Sequence, residues 1–311
     1  MNKKNTFFIL LAFAFLQLPA QQKLITCTTE KNPDNTYSIY AESQAYTDYT
    51  VKLIFTTLLG YTSTVEKESF RTVGRGKTQI AKLTIDKSAS GFSFSYTYKY
   101  FVGTFLRKTP DTSFVYLMPS TPENSLHISK VTSIAERLGQ KNTEDFHSIG
   151  FKYKLGDTIC ASRGGIVFEC NNDVKEGEKL HQLYSQNRNK IGIAQKDGTL
   201  AYYSILAPVK MLVSSGDKVI PGQPLAVFDK ESEKYNILFS VYYLDEKKLF
   251  ADRDINIKEA PVYHISLPTV FYMSNADKTE FLQINKVYKV QHPTEIIAAE
   301  MSKKEKKKIG L

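Results

Sequence analysis

The residues that could bind a metal or attack a substrate are few and scattered in this sequence. Its five histidines share no metal-binding spacing such as His-x-x-x-His, and the sequence has no Cys-x-x-Cys pair. The histidines are His127, His147, His181, His264 and His292. The Gly-x-Ser-x-Gly nucleophile elbow of serine hydrolases is also absent. An active hydrolase with relocated ligands would need two histidines and a carboxylate to converge from distant parts of the chain.

The three cysteines leave a disulfide open. Cys160 and Cys170 flank a Gly-Gly pair, which predicts a hairpin across which the two thiols could face each other. They are either bridged or two buried small residues, and the odd count leaves Cys27 over. A second hairpin is predicted around Asp197 and Gly198, because Asp-Gly is a strong turn pair.

Four segments, taken in order, carry a recognisable pattern. They are residues 150–161, 197–206, 216–226 and 235–241. The third contains Gly-Asp-x-Val-x-x-Gly-Gln, which runs from Gly216 to Gln223. Together the segments resemble the lysostaphin-type (LytM-like) zinc metallopeptidase domain, and the region of resemblance that they mark covers about a third of the chain. The resemblance implies a LytM-like antiparallel β-sheet peptidase-like domain.

The resemblance also implies where a zinc site would lie. The family holds zinc with a histidine, an aspartate and the second histidine of His-x-His, and further histidines assist catalysis. Carried onto this chain, the metal positions are occupied by Gly150 and Leu238, and the assisting positions by Ile205 and Asn236. His147 lies three residues before Gly150 and cannot hold a zinc ion alone. The resemblance therefore predicts a degenerate member of the family with no bound zinc and no peptidase activity.

A peptidase-like groove without a metal can still bind an extended peptide. Tyr202, Tyr203 and Tyr235 are predicted to line such a groove, although they could also be ordinary strand tyrosines with buried rings. The resemblance implies peptidoglycan peptide, or a wall hydrolase that the chain regulates, as the partner.

A carrier domain is an alternative function. Biotinyl and lipoyl carriers also contain Gly-Asp-x-Val-x-x-Gly-Gln, and Lys210 between Val209 and Met211 is similar to their modified lysine. In carriers the lysine hairpin follows the Gly-Asp segment, whereas Lys210 precedes it here. The order of the segments therefore disfavours a carrier.

The elements that must position these residues are mainly β-strands. Tyr and Phe are abundant and Trp is absent, a composition that favours pleated strands. Residues 92–100 alternate strictly between aromatic and polar types, as a half-buried strand does. The strands and turns of residues 21–103 predict an N-terminal immunoglobulin-like β-sandwich. Prolines then mark a connector at 104–147, which precedes the peptidase-like domain at 148–250.

The remaining segments are predicted from composition. Residues 251–295 form an additional β segment and 296–311 a basic tail. Residues 1–20 have the layout of a cleavable signal peptide, with two lysines, a short apolar run and a small residue at the end. We therefore expect an exported chain, periplasmic or extracellular, that is not transmembrane after cleavage. The formal net charge of +9 comes partly from the tail, and no basic face interleaved with aromatics indicates nucleic-acid binding.

Overall fold

The computed structural model describes most of the chain in six segments and two single residues. The segments are residues 24–132, 146–174, 188–232, 234–251, 263–273 and 281–308, and the single residues are 136 and 310. The predicted signal peptide at 1–20 and the histidine at position 181 lie outside the described residues.

Seven strands fold the described N-terminal part, residues 24–103, into two antiparallel sheets. The strands are β1 (Ile25–Lys31), β2 (Tyr37–Ser43), β3 (Tyr49–Leu59), β4 (Tyr61–Ser63), β5 (Glu68–Val73), β6 (Gly76–Ile85) and β7 (Ser93–Val102). One sheet has the order β1-β2-β6-β4 and the other β5-β3-β7. Ile39 and Leu83 of the first sheet share a core with Leu53 and Phe55 of the second. The two sheets therefore enclose one apolar layer.

Alternation explains why β7 forms where the sequence predicts a strand. Phe94 and Tyr96 are half-buried, whereas Ser95 between them is exposed. The Phe94 ring packs edge-on against Tyr37 of the facing sheet, and the Tyr96 ring against Phe55 of the neighbouring β3. A period of two places every second side chain on the core face, so the aromatic half of the strand stabilises the layer.

The rest of the described chain is also mainly β. Its strands are β8 (Phe105–Leu106), β9 (Val115–Tyr116), β10 (Ser125–Lys130), β11 (Ile149–Lys152), β12 (Thr158–Cys160), β13 (Gly165–Asn171), β14 (Asn189–Ala194), β15 (Leu200–Ile205), β16 (Lys210–Met211), β17 (Lys218–Val219), β18 (Pro224–Val227), β19 (Asn236–Asp245), β20 (His264–Leu267), β21 (Val270–Phe271) and β22 (Val287–Lys289). The helices are α1 (Glu246–Ala251), α2 (Thr294–Ile297) and α3 (Lys303–Lys308). The prediction of a mainly β chain built on antiparallel sheets is confirmed.

One large sheet dominates this second part. Its order is β17-β13-β14-β15-β19-β11-β10-β22, with β20 and β8 also pairing with β19. A smaller sheet, β12-β18-β16, and the pair β21-β9 complete the arrangement. Phe151, Tyr203, Phe239 and Phe271 are completely or almost completely buried in the common core.

A third apolar cluster joins the two parts. Phe70 of β5 packs with Leu244 of β19 and Leu249 of α1, and the ring of Phe250 lies 4.6 Å from that of Phe70. The N-terminal sheets therefore rest on the end of β19. Within the described segments, no helix has the length and apolarity needed to cross a bilayer.

The two predicted hairpins have different outcomes. β14 and β15 pair around Asp197 and Gly198, and Gly198 has the positive φ of 87° that this turn requires. That hairpin is confirmed. The first hairpin is wrong, because β12 pairs with β18 while β13 pairs with β14 and β17. Cys160 and Cys170 consequently belong to different sheets, and both thiols are free.

Candidate functional site

The strand register gathers the positions named by the sequence pattern into one row across the large sheet. Ser129 of β10 lies opposite Gly150 of β11, which lies opposite Leu238 of β19. Leu238 lies opposite Ser204 of β15, and Ser204 opposite Lys190 of β14. Directly paired residues point to the same side of a sheet, so these five residues form a continuous row, here called the site row.

The site row lies on the outer side of the large sheet. In β19, Ile237 and Phe239 are buried in the core, whereas Leu238 between them is partly exposed. Ser204 is likewise partly exposed, although Tyr203 before it is fully buried. We call this outer side the site face.

Two further rows flank the site row. On one side His127 lies opposite Lys152, which lies opposite Asn236. On the other side Ser240 lies opposite Tyr202, and its hydroxyl donates a hydrogen bond of 2.8 Å to Ser148 Oγ. The site face therefore offers hydroxyl, amide, imidazole and ammonium groups.

Gly150 and Leu238 come together as a zinc site would require, but their chemistry does not fit the metal. Gly150 has no side chain, and a Cβ atom added there would overlap Ser129 Oγ. Leu238 offers only carbon atoms, and zinc ligands in proteins are nitrogen, sulfur or oxygen atoms. Across the described segments, no group of three or more His, Cys, Asp or Glu residues could hold a metal ion.

Ile205, which the resemblance places at an assisting histidine position, does not join the site row. It lies opposite Ile237 and is fully buried in the core. Side chains alternate along a strand, so a shift of one residue moves a position to the other face. The residue of β15 that lies on the site face, opposite Leu238, is Ser204. Asn236 is partly exposed on the site face, two residues before Leu238.

Tyr203 is a core residue, so the prediction that it lines a groove is wrong. Its side chain is fully buried, and its hydroxyl accepts a hydrogen bond of 2.7 Å from the Ser162 N–H. Burial raises the pKa of Tyr203 well above its ordinary value. The hydroxyl therefore fixes the turn that follows β12.

Tyr202 lines a cavity of ≈ 530 Å³ at the margin of the site face. Tyr46 and Tyr49 of the N-terminal part and Phe168 of β13 contribute to the same walls. The Tyr202 ring packs edge-on against Phe168, and the Lys190 ammonium lies 4.2 Å from its centroid. Burial raises the pKa of Tyr202. The cavity is therefore aromatic and lies between the N-terminal sheets and the site face.

Tyr235 lies just before β19 and serves its own turn. Its ring packs on Phe228 at 5.6 Å, and its hydroxyl accepts a hydrogen bond of 3.0 Å from the Ser232 N–H. The hydroxyl also donates to Glu231 Oε2 at 3.4 Å. The structure therefore does not bring Tyr235 together with Tyr202.

His127 is a histidine that the register places beside the site row, and sequence reasoning missed it. Leu126 and Ile128 on either side are buried, so alternation turns His127 outward with Ser129. Its Nδ1 atom is buried and has no hydrogen-bond partner among the described residues. By contrast, the backbone N–H and C=O of His147 both bond to Ser266 Oγ, at 3.0 and 2.7 Å.

Comparisons with known proteins give structural likeness only. No protein-family model and no curated protein matches this chain. Among solved structures, one is a candidate glycyl-glycine endopeptidase LytM from Ruminococcus gnavus, with 16% identity, a TM-score of 0.30 and coverage of 49% of this chain. Another is a candidate peptidase M23 from Pseudomonas aeruginosa, with 12% identity, a TM-score of 0.28 and coverage of 70% of this chain and 87% of that one. The match spans 57% of the Ruminococcus gnavus chain.

Proposed function

We propose that this chain is an exported, non-catalytic protein with a peptidase-like fold that binds peptidoglycan or regulates its hydrolases. The register of the large sheet carries the proposal. It places Gly150 opposite Leu238, the two positions where the sequence resemblance requires zinc ligands, and Leu238 opposite Ser204. None of the three side chains is an imidazole or a carboxylate.

The same face retains groups suited to holding a peptide. The cavity beside Tyr202 offers aromatic walls for apolar parts of a ligand. Lys152 is exposed, and Lys190 is paired with Glu169 at 2.9 Å. Ammonium groups of this kind attract the carboxylates of peptidoglycan peptides, and the imidazole of His127 supplies a further polar contact.

The carrier alternative has less support from the geometry. Lys210 lies inside β16, where it pairs with Val227 of the small sheet. Its side chain is exposed, which suits an ordinary surface lysine. A modified lysine would instead be displayed at the turn of a hairpin.

The metal content of the purified protein tests the non-catalytic part of the proposal. The protein is dialysed against a slight excess of zinc, its metal is measured by elemental mass spectrometry, and cleavage of purified sacculi is followed in parallel. We expect no stoichiometric zinc and no cleavage, because Gly150 and Leu238 provide no ligand. Near one equivalent of zinc, lost on His127→Ala or His147→Ala, would overturn the proposal and favour a hydrolase with relocated ligands.

Co-sedimentation with purified sacculi tests the binding part. We expect the protein to sediment with sacculi, and Tyr202→Ala to weaken this binding by removing one wall of the aromatic cavity. Tyr40→Ala is the matched control, because Tyr40 is a partly exposed tyrosine on β2 that does not line the cavity. Absence of binding by the unmodified protein would count against peptidoglycan and leave a wall hydrolase as the partner to test.

A further inference from the structure

Arg163 is a buried cation held by two carboxylates. Its side chain is only 3% exposed, and it lies in the turn between β12 and β13. Nη1 donates to Asp197 Oδ2 at 2.8 Å, while Nε donates to Glu300 Oε2 at 2.6 Å and Nη2 to Glu300 Oε1 at 2.5 Å. The guanidinium also stacks over the Phe114 ring at 3.7 Å from its centroid. Such a bidentate fork is the geometry with which arginine recognises a carboxylate.

The two carboxylates have different origins. Asp197 belongs to the β14–β15 turn, and Thr199 bonds to it through both its N–H and its hydroxyl. Glu300 lies 137 positions after Arg163, in the segment that follows β22. Asp197 is therefore a fixed part of the sheet, whereas Glu300 reaches the fork from the C-terminal end of the chain.

The segment that carries Glu300, residues 291–308, is here called the C-terminal strap. Its helices α2 and α3 contain no buried residue. Apart from Glu300, it is held by an exposed ion pair between Glu305 and Lys218, by buried Ala298 and by His292, which packs against Gly222 and hydrogen-bonds to the backbone of Met118 and Ser120. A segment with so little buried surface can open locally without unfolding the rest of the protein.

A cavity of ≈ 460 Å³ lies between the strap and the large sheet. Ile220 and Pro221 line one side, and Ile297 and Met301 of the strap line another. Its size suits a small ligand or a short peptide. The cavity therefore adjoins the carboxylate that the strap inserts into the Arg163 fork.

Gln195 places an unused hydrogen-bond donor at the wall of this cavity. Its side chain is 6% exposed, and its Oε1 already accepts hydrogen bonds from Tyr116, Arg163 and Thr199. Its Nε2 is buried and has no acceptor among the described residues. A buried amide N–H without an acceptor costs free energy, so an acceptor atom on a bound ligand would stabilise this site.

We propose that Arg163, Gln195 and the adjoining cavity form a binding site for a carboxylate-bearing peptide, and that Glu300 of the C-terminal strap is its built-in competitor. The incoming carboxylate takes the place of Glu300 in the fork, so the local charge is unchanged. Gln195 Nε2 then donates to a carbonyl of the peptide, whose remaining atoms lie in the cavity. This site shares no residue with the site row, so it can succeed or fail independently of the proposed function.

Limited digestion with trypsin tests whether Glu300 holds the strap. The rate of release of the lysine-rich end, Lys303–Lys308, is followed by mass spectrometry. We expect Glu300→Gln to accelerate release by about tenfold, because it removes a charge-assisted bidentate contact. Glu295→Gln is the matched control, since Glu295 is an exposed carboxylate of the same strap. Equal rates for Glu300→Gln and the unmodified protein would overturn the competitor role.

Calorimetry with defined peptides tests the site itself. The probes are trialanine with a free C-terminus, its C-terminal amide, and the blocked peptide acetyl-Ala-Glu-Ala-amide. We expect carboxylate peptides to bind Glu300→Gln about tenfold more tightly than the unmodified protein, and Arg163→Lys to abolish this gain because lysine lacks the fork. Binding of free trialanine identifies a terminal carboxylate as the ligand, and binding of the blocked peptide identifies an acidic side chain. Binding of the trialanine amide, which has no carboxylate, as tight as that of the carboxylate peptides, or no binding of any probe to Glu300→Gln, would overturn the proposal.

Discussion

The site row and the Arg163 cluster handle polar chemistry in opposite ways. The row has glycine and leucine at its centre, and its nearest ion pair, Lys190 with Glu169, is about one third exposed on each side chain. The Arg163 cluster instead buries a guanidinium almost completely and supplies two carboxylates to it. Removing charge from water is costly, so a buried ion cluster depends on each of its partners. The sequence pattern therefore points to the site row, which is the region with fewer buried charged groups.

Removal of Arg163 should have the largest effect on stability. Arg163→Ala leaves Asp197 and Glu300 without their cation and Gln195 Oε1 without one of its donors. We expect the free energy of unfolding to fall by about 3–5 kcal/mol, as for other broken buried pairs. Urea denaturation followed by circular dichroism measures the change.

Arg163→Lys serves as its control, because lysine keeps the charge and loses the fork. The free energy of unfolding of Arg163→Lys should lie between those of Arg163→Ala and the unmodified protein. If Arg163→Ala changed the free energy of unfolding by no more than a typical surface pair, the contrast between the two regions would collapse.

Introducing a carboxylate into the site row should have the next largest effect on the free energy of unfolding. Gly150→Asp forces a side chain into the space of Ser129 Oγ, so we expect a loss of about 1–3 kcal/mol in the free energy of unfolding. Ser129→Gly opens that space, and the pair Ser129→Gly and Gly150→Asp should cost less than the sum of the single changes. A double-mutant cycle by urea denaturation measures the coupling. Strict additivity would show that the two residues are not neighbours in the row.

Features that depend on a repeating pattern or a turn pair could be predicted from the sequence. The side of the sheet that a given residue faces could not, because a shift of one residue reverses it. The alternation of residues 92–100 predicted β7, and Asp197-Gly198 predicted the β14–β15 turn. The side of the sheet that residue 205 faces does not follow from the pattern, because a tyrosine stands at both 202 and 203 and either could begin Tyr-x-His-Leu. Only the strand register distinguishes Ser204 from its neighbour.

The Arg163 cluster could not be predicted from local sequence. Its charged members, Arg163, Asp197 and Glu300, are brought together by the large sheet and the C-terminal strap, and no short motif contains two of them. The pairing of His127 with the site face has the same origin, since it depends on β10 lying beside β11. Contacts of this kind follow from topology, which the periodicity of single segments does not specify.

Acid should weaken the Arg163 cluster selectively. Burial alone would raise the pKa of Asp197, but hydrogen bonds from Thr199 and the charge of Arg163 outweigh it and hold the pKa below its ordinary value of 3.8. A lowered folded-state pKa means that the stabilisation is present above pH 3.8 and is lost as the pH falls through the folded value. The difference in unfolding free energy between the unmodified protein and Asp197→Asn should therefore shrink between about pH 5 and about pH 3. A constant difference over this range would contradict the assignment.

The smallest effect is expected at the margin of the site row. Lys190 is 33% exposed, lies 2.9 Å from Glu169 and sits over the Tyr202 ring, so solvent screens much of its charge. We expect Lys190→Ala to lower the free energy of unfolding by less than about 1 kcal/mol, as for other exposed pairs. Lys196→Ala is the control, because Lys196 is an exposed lysine of the adjoining turn. A loss comparable to that of Arg163→Ala would mean that the site face depends on buried charge as well, and the difference between the two regions would then be one of degree.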